Sequence, residues 1–149
     1  MTEQELAELA AAIPRASREA ADAYASAAEA LAAAVSARML ALGDIEQLTG
    51  LGNLRMMMDT HRRQARFLSA ILADFDPALL VRTVLWAIRA HKSLGFRDRY
   101  WVMQQEAWRP ALTEGLDPQA FDQVIPLFDW LKERMDDFIL LSNRKPSGN

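Results

Sequence analysis

Apolar residues recur at intervals of three and four along almost the whole chain. This is the spacing of an α-helix with one buried face, and no stretch alternates apolar and polar positions as a half-buried strand does. The longest example covers residues 53–75, where one helical face carries Leu54, Met58, His61, Ala65, Leu68 and Leu72. The pattern therefore predicts an all-α fold, with Met58 in the core.

Cap signals divide this pattern into separate helices. Thr2 with Glu5 has the spacing of a capping box, and it predicts a short first helix that a proline ends. Ser26 with Glu29 repeats the spacing. It predicts that a long helix begins there, after a separate helical segment at about 15–25.

Prolines mark the later helices. Asp76-Pro77 and Asp117-Pro118 each combine a capping side chain with a residue that suits the first helical turn. Each pair therefore predicts the start of a helix. Pro110 lies between these two starts, within a helix that it is expected to kink or end early.

The chain length is that of one domain with one core, which we place at residues 1–142. Residues 143–149, "NRKPSGN", are expected to form a disordered tail. Residues 1–25 are predicted to form a helical extension that is too short to be stable alone, with an apolar stripe of Leu6, Leu9 and Ile13. We expect this stripe to pair with a second copy, so the extension predicts an oligomer interface and a homodimer.

The amino-acid composition excludes several classes of function for this protein. The chain has 149 residues, a net charge of −3 and no cysteine. The negative charge argues against nucleic-acid binding, and the lack of cysteine excludes disulfides, thiolate ligands and thioether-linked cofactors. The acidic start and the absence of a membrane-length apolar run predict a cytoplasmic protein without membrane contact. No catalytic motif or metal-binding motif is visible, so we expect neither enzyme activity nor a metal site.

Two histidines and a group of arginines are the candidate functional residues. His61 and His91 lie about thirty positions apart on consecutive predicted helices, a separation similar to that of the two haem-facing histidines of globins. Alternatively, each is a half-buried side chain that donates to a backbone carbonyl. Arg62, Arg63 and Arg66 flank the same apolar stripe, where guanidinium groups suit carboxylates such as propionates. A solvated helix face is the alternative for these arginines.

Three short motifs occur in a recognisable order: Thr60-His61-Arg62-Arg63, then Phe67-Leu68, then His91-Lys92-Ser93-Leu94-Gly95 at the end of the next helix. In order and spacing they resemble the Cys-x-Arg-Asp, aromatic-Leu and Lys-Ser-Leu-Gly motifs of the phycobiliproteins, globin-fold antenna subunits that carry linear tetrapyrroles, or bilins. The resemblance covers residues 58–135. It implies a globin-like (phycobilisome-type) helical bundle with an N-terminal two-helix extension.

The departures from the family pattern define the expected function. Thr60 stands where the family attaches its bilin through cysteine, and Arg63 stands where the family has the aspartate that accepts from the pyrrole N–H groups. Arg62 matches the arginine that holds a propionate. The chain is therefore most similar to the cysteine-free relatives of the family, the bilin biosynthesis-associated globins.

This similarity implies a non-catalytic protein of bilin metabolism or regulation, in which any bilin is bound non-covalently. The expected site residues are Met58, His61, Arg62, Arg63, Arg66 and His91, and bilin-biosynthesis enzymes are the expected partners. Two alternatives stay open: a haem-binding sensor globin that uses His61 and His91, and a cofactor-free dimeric interaction protein.

Overall fold

The computed structural model describes residues 1–144, which form seven helices and no strand. The helices are α1 (Glu3–Ala10), α2 (Arg18–Leu40), α3 (Ile45–Thr49), α4 (Leu54–Ala73), α5 (Pro77–Ser93), α6 (Asp98–Gly115) and α7 (Pro118–Ser142). The predicted all-α class is confirmed. Within the described residues, no helix is both long enough and apolar enough to cross a membrane.

The alanine-rich helix α2 lies at the centre of the fold, packed against α4, α6 and α7. Its buried face alternates larger side chains, such as Tyr24 and Leu31, with alanines that let neighbouring backbones approach closely. Alanine buries little apolar area, so this region depends on neighbouring surfaces for its burial. Three helices of the same chain supply the partner surfaces.

The start of α2 differs from the prediction. Ser17 caps the helix, since its side chain accepts a hydrogen bond from the backbone N–H of Ala20 at 3.1 Å. The helix then runs without a break through Ser26, so the predicted cap at Ser26 is wrong and the boundary at residue 25 falls inside α2. The good helix formers on both sides of Ser26 favour continuation over a new start.

Helix α1 packs against α5 of the same chain. Leu6 is fully buried and Ile13 is 5% exposed, although no second copy is present to cover them. Only Leu9 of the predicted stripe is exposed. The stripe is thus covered within one chain, and it no longer supplies a reason to expect a homodimer.

The later helices begin and end close to the predicted positions. Asp76 and Asp117 cap α5 and α7 by accepting from backbone N–H groups, as predicted. Pro110 does not end α6, which continues to Gly115. Asn143, the first residue of the predicted tail, caps α7, and its side chain donates to Asp98 at 3.2 Å. The rest of that tail, beyond Arg144, lies outside the described residues.

Helices α4 and α5 are joined at one end and supported separately along their lengths. Asn53 Nδ2 donates to the carbonyls of Thr49 at 2.8 Å and Leu94 at 2.9 Å. The two backbones approach closely there because Gly50 and Gly95 have φ angles of +92° and +110°, which favour glycine. Away from this junction, α4 packs mainly on α2, whereas α5 packs mainly on α1 and α7. This arrangement leaves a cleft between α4 and α5.

Candidate functional site

The cleft has a volume of about 170 Å³ and is bounded by α4, α5, α6 and α7. Most of its wall is apolar, and its lining residues are Thr60, Arg63, Gln64, Phe67, Leu68, Thr83, Val84, Trp86, Ala87, His91, Trp101, Gln105, Leu131 and Met135. An apolar cleft with a few polar groups in its wall is the usual form of a small-molecule site.

The size of the cleft limits what it can enclose. An apolar cavity of about 150 Å³ accepts benzene, whereas a pocket for a drug-sized ligand measures about 300 Å³ or more. The cleft therefore encloses one or two rings. It reaches the surface beside Trp86, which is 66% exposed, and beside the exposed Arg63. A longer ligand has room to continue outward at that mouth.

One polar part of the wall joins α4 to α5. His91 Nδ1 donates to the carbonyl of Ala87 at 2.7 Å, and His91 Nε2 lies 2.8 Å from the Thr60 hydroxyl. Burial lowers the pKa of His91; the hydrogen bond to Ala87 acts in the opposite direction with a smaller effect, and the nearby Arg63 guanidinium adds a still smaller lowering. The ring is therefore neutral near pH 7, and Nε2 accepts from Thr60.

Two glutamines supply the other polar part of the wall. The side-chain oxygens of Gln64 on α4 and Gln105 on α6 are both shielded from water, and neither has a hydrogen-bond partner among residues 1–144. Gln105 is only 4% exposed. A buried amide oxygen without a partner costs about 1–3 kcal/mol. Both side chains line the cleft, so these two oxygens are candidate acceptors for a donor group of a ligand.

The amide of Gln105 is held by a buried chain of hydrogen bonds. Gln105 Nε2 donates to Gln104 Oε1 at 3.1 Å, and Gln104 Nε2 donates to the Tyr100 hydroxyl at 3.1 Å. His61 Nε2 lies 2.8 Å from the Tyr100 hydroxyl, and His61 Nδ1 lies 2.8 Å from the Ser36 hydroxyl. All five side chains are at most 8% exposed. The chain runs from the cleft wall through the core to α2.

The donors and acceptors of this hydrogen-bond chain can be arranged in one direction. Because the Tyr100 oxygen accepts from Gln104, its single hydrogen is available to donate to His61 Nε2, and His61 Nδ1–H then donates to Ser36. Burial lowers the pKa of His61 to about 4 and raises that of Tyr100, so the imidazole is neutral and the phenol is protonated. This assignment gives each hydrogen between the cleft wall and α2 an acceptor, and it predicts that His61 is protonated at Nδ1.

The structure divides the predicted site residues into two groups. Arg63 and His91 line the cleft. His61 does not, and both of its ring nitrogens have partners in the core, so it is not positioned as an axial ligand. The predicted haem-facing pair of histidines is therefore not formed. Met58 is only half-buried and lies outside the cleft lining, since its neighbour Met57 takes the fully buried position.

The other two arginines pair with carboxylates away from the cleft. Arg62 pairs with Asp59 on its own helix, and Arg66 contacts Glu29 of α2 at 3.1 Å. Neither lines the cleft, so the expectation that Arg62 holds a propionate there is not supported by its position. Arg63 has no ion-pair partner within the described part of the chain, and its guanidinium is free for a ligand anion.

Sequence reasoning missed Gln64 and Gln105. A signal for Gln105 was present in the sequence: the Gln104-Gln105 pair lies between Trp101 and Trp108 at helical spacing, so that the pair is predicted to share their buried face. A polar side chain on a buried stripe needs a partner, and this one has none for its oxygen. Gln64 gave no comparable signal, because it lies next to the arginines of α4.

No protein-family model, no curated protein and no solved structure matches this chain. Among residues 1–144, no three histidine, aspartate or glutamate side chains come together as a metal site. Any functional assignment therefore depends on the cleft and on the residues that carry the resemblance to phycobiliproteins.

Proposed function

We propose that this chain is a non-catalytic binding protein that holds one end of a linear tetrapyrrole reversibly in the cleft, on a globin-like fold related to the phycobiliproteins. One observation carries the proposal. Thr60 and Arg63, which match the pigment-attachment and pigment-contacting positions of that family, both line an apolar cleft whose wall also includes two glutamines with unpartnered side-chain oxygens.

The groups in the cleft wall suit such a ligand. Pyrrole rings are flat and apolar, and their N–H groups are donors for the oxygens of Gln64 and Gln105. The Arg63 guanidinium at the mouth can pair with a propionate. Because the cleft encloses one or two rings, the rest of the tetrapyrrole would lie outside, beside the exposed ring of Trp86.

Binding would be reversible. The Thr60 hydroxyl donates to His91 Nε2 and also lies 2.9 Å from the carbonyl of Met56, and a hydroxyl does not form the thioether that a cysteine forms with a bilin. A reversible ligand suits carriage or regulation in bilin metabolism, and transfer to or from a bilin-making enzyme requires release. Such enzymes remain the proposed partners.

A haem-binding function is the second candidate, and His91 is the observation that favours it. A metal-bound histidine commonly donates its other ring N–H to a backbone carbonyl, as His91 does to Ala87. Iron binding at His91 Nε2 would break the bond with Thr60 and require a wider cleft. We therefore rank this candidate below the tetrapyrrole.

Absorption spectroscopy of the full chain tests both candidates. The purified protein is titrated separately with biliverdin and with haem, and the free pigments serve as references. A saturable shift of the red biliverdin band supports the proposed function, and a sharp haem band that is lost in His91→Ala supports the second candidate. Saturable binding of neither pigment overturns both and leaves the exposed Trp86 as a candidate contact for another protein.

Two arginine variants locate the site. Arg63→Ala should weaken biliverdin binding by about 1–3 kcal/mol, the range for a charge-assisted hydrogen bond. Arg62→Ala is the matched control, because Arg62 is the preceding residue on the same helix but pairs with Asp59 instead of lining the cleft. Equal effects of the two variants would contradict the assigned site.

A further inference from the structure

We infer that Gln64 and Gln105 make the cleft selective for flat rings that carry a hydrogen-bond donor, such as a ring N–H. This inference rests on the proposed function, because it requires that a ligand enters the cleft. It adds the chemical class of ligand that the cleft accepts. Arg63 at the mouth then pairs with an anionic group on the same ligand. Inside the cleft, the glutamine oxygens select a ring that carries a hydrogen-bond donor.

The first support is the unsatisfied state of the two oxygens. Both belong to side chains of the cleft wall, and no group in residues 1–144 donates to either of them. A ring with an N–H against this wall gains a bond that the protein lacks, whereas a ring of the same shape without a donor leaves the oxygens unpaired. Sites built to hydrogen-bond a ligand group discriminate strongly against the analogue that lacks it.

The second support is the fixed orientation of the Gln105 amide. Its nitrogen donates to Gln104 Oε1, so turning the amide over would place two oxygens together. Gln104 is held in turn by Tyr100, and Tyr100 by His61. With His61 protonated at Nδ1, every member of the hydrogen-bond chain has a partner and the Gln105 nitrogen is engaged with Gln104, so the oxygen is the part of the Gln105 amide left without a partner.

The size of the cleft gives the third support. A cleft of about 170 Å³ with a mostly apolar wall holds one or two fused rings. Gln105 is the more enclosed of the two glutamines, so we assign it the donor of an enclosed ring. Gln64, on α4 beside Arg63, is the partner for a second donor nearer the mouth.

Paired probes test this selectivity without a tetrapyrrole. Indole and benzothiophene have nearly the same shape, but only indole has a ring N–H, and each is titrated into the full chain at millimolar concentration by calorimetry. We expect indole to bind about tenfold more tightly or better, the ratio that corresponds to one buried hydrogen bond. Gln105→Leu should remove the preference by weakening indole and sparing benzothiophene.

Controls keep the outcome interpretable. Gln119→Leu is the matched variant, since Gln119 is an exposed glutamine of α7 outside the cleft, and it should keep the preference. Should Gln105→Leu fail to fold, Gln64→Leu is used together with nitrogen NMR of the native protein. The spectrum should show His61 protonated at Nδ1, because protonation at Nε2 would reverse the chain and turn the Gln105 N–H toward the cleft.

The remaining outcomes overturn the inference separately from the proposed function. Equal affinities for indole and benzothiophene, or no binding of either at millimolar concentration, would show that the glutamines do not select a donor. The reversed His61 tautomer would have the same consequence. The proposed function is judged on biliverdin alone, so biliverdin binding without a donor preference would retain that function and reject this selectivity.

Discussion

Replacing Tyr100 by phenylalanine tests the buried hydrogen-bond chain. The change removes one oxygen from a fully buried ring and leaves its packing against Phe96 and Trp101 in place. It leaves His61 Nε2 without a donor and Gln104 Nε2 without an acceptor. Each buried polar group without a partner costs about 1–3 kcal/mol, so we expect the free energy of unfolding to fall by about 2–6 kcal/mol.

Tyr24→Phe is the matched control. Tyr24 is also fully buried, and its hydroxyl donates to the carbonyl of Ala65 at 3.1 Å. Ala65 lies inside α4, where its carbonyl also accepts a helical hydrogen bond, so removing the hydroxyl leaves no group wholly unpaired. The expected loss is therefore about 0.5–1.5 kcal/mol, the net value of one hydrogen bond.

Urea unfolding followed by far-ultraviolet circular dichroism measures both variants. The dependence of the free energy on urea should stay unchanged, because neither change alters the surface exposed on unfolding. The reasoning is refuted if Tyr100→Phe costs no more than Tyr24→Phe. That result would mean that His61 and Gln104 find other partners and that the chain is not a fixed network.

Three further predictions concern the pH dependence of stability, the backbone conformation at Gly50 and the role of Trp86 in ligand binding. Folding lowers the pKa of His61 from 6.5 to about 4, so the unfolded chain takes up the proton first. Stability should be full above about pH 6.5 and fall by about 3 kcal/mol toward pH 4 on account of this residue. Urea midpoints at several pH values measure this fall, and His61→Gln should reduce it to the part that the lowered pKa of His91 contributes. Gly50→Ala should destabilise by about 1–3 kcal/mol, because its φ of +92° and ψ of +147° are a conformation essentially restricted to glycine, and a Cβ there would lie 2.9 Å from Asn53 Nδ2. Gly43→Ala, with open space around it, should change the melting temperature little. Equal melting temperatures of the two variants would contradict the strain at Gly50. Trp86→Ala should weaken biliverdin binding without lowering the melting temperature, since the ring is mostly exposed; unchanged affinity would remove Trp86 from the binding surface.

Local sequence signals predicted the helices well but could not assign every start. Thr2, Asp76 and Asp117 cap helices as predicted, because each cap depends only on the few residues that follow it. Ser26 has equally good local spacing, yet α2 passes through it. The difference arises from the packing of α2 against three helices, which no local pattern contains.

Periodicity predicted the burial of His61, Ala65 and Leu68 on α4 correctly, but it placed Met58 in the core where the structure has Met57. Met57, Thr60 and His61 are buried together, whereas Met58 is only half-buried. The error arises because a polar threonine was not counted as a core residue. Thr60 is buried because His91 of α5 is its partner, and that pairing exists only in the folded chain.

The candidate site was predictable only in part. Arg63 and His91 were identified because charge and ring chemistry are visible in the sequence, and both line the cleft. Gln105 was missed because its significance comes from an oxygen without a partner, a property of the assembled wall and not of the residue type. The cleft itself is formed by four helices and has no counterpart in any single stretch of sequence.

Because α1 packs on α5, substitutions in α1 would alter the width of the cleft without being part of its lining. Helix α5 supplies one wall of the cleft and packs on α1, whose buried residues are Leu6 and Ala10. A larger or smaller side chain at Ala10 would shift α5 relative to α4 without touching the ligand. For the binding function proposed above, a change in α1 would therefore alter the range of ring sizes that the cleft accepts, although α1 does not line the cleft.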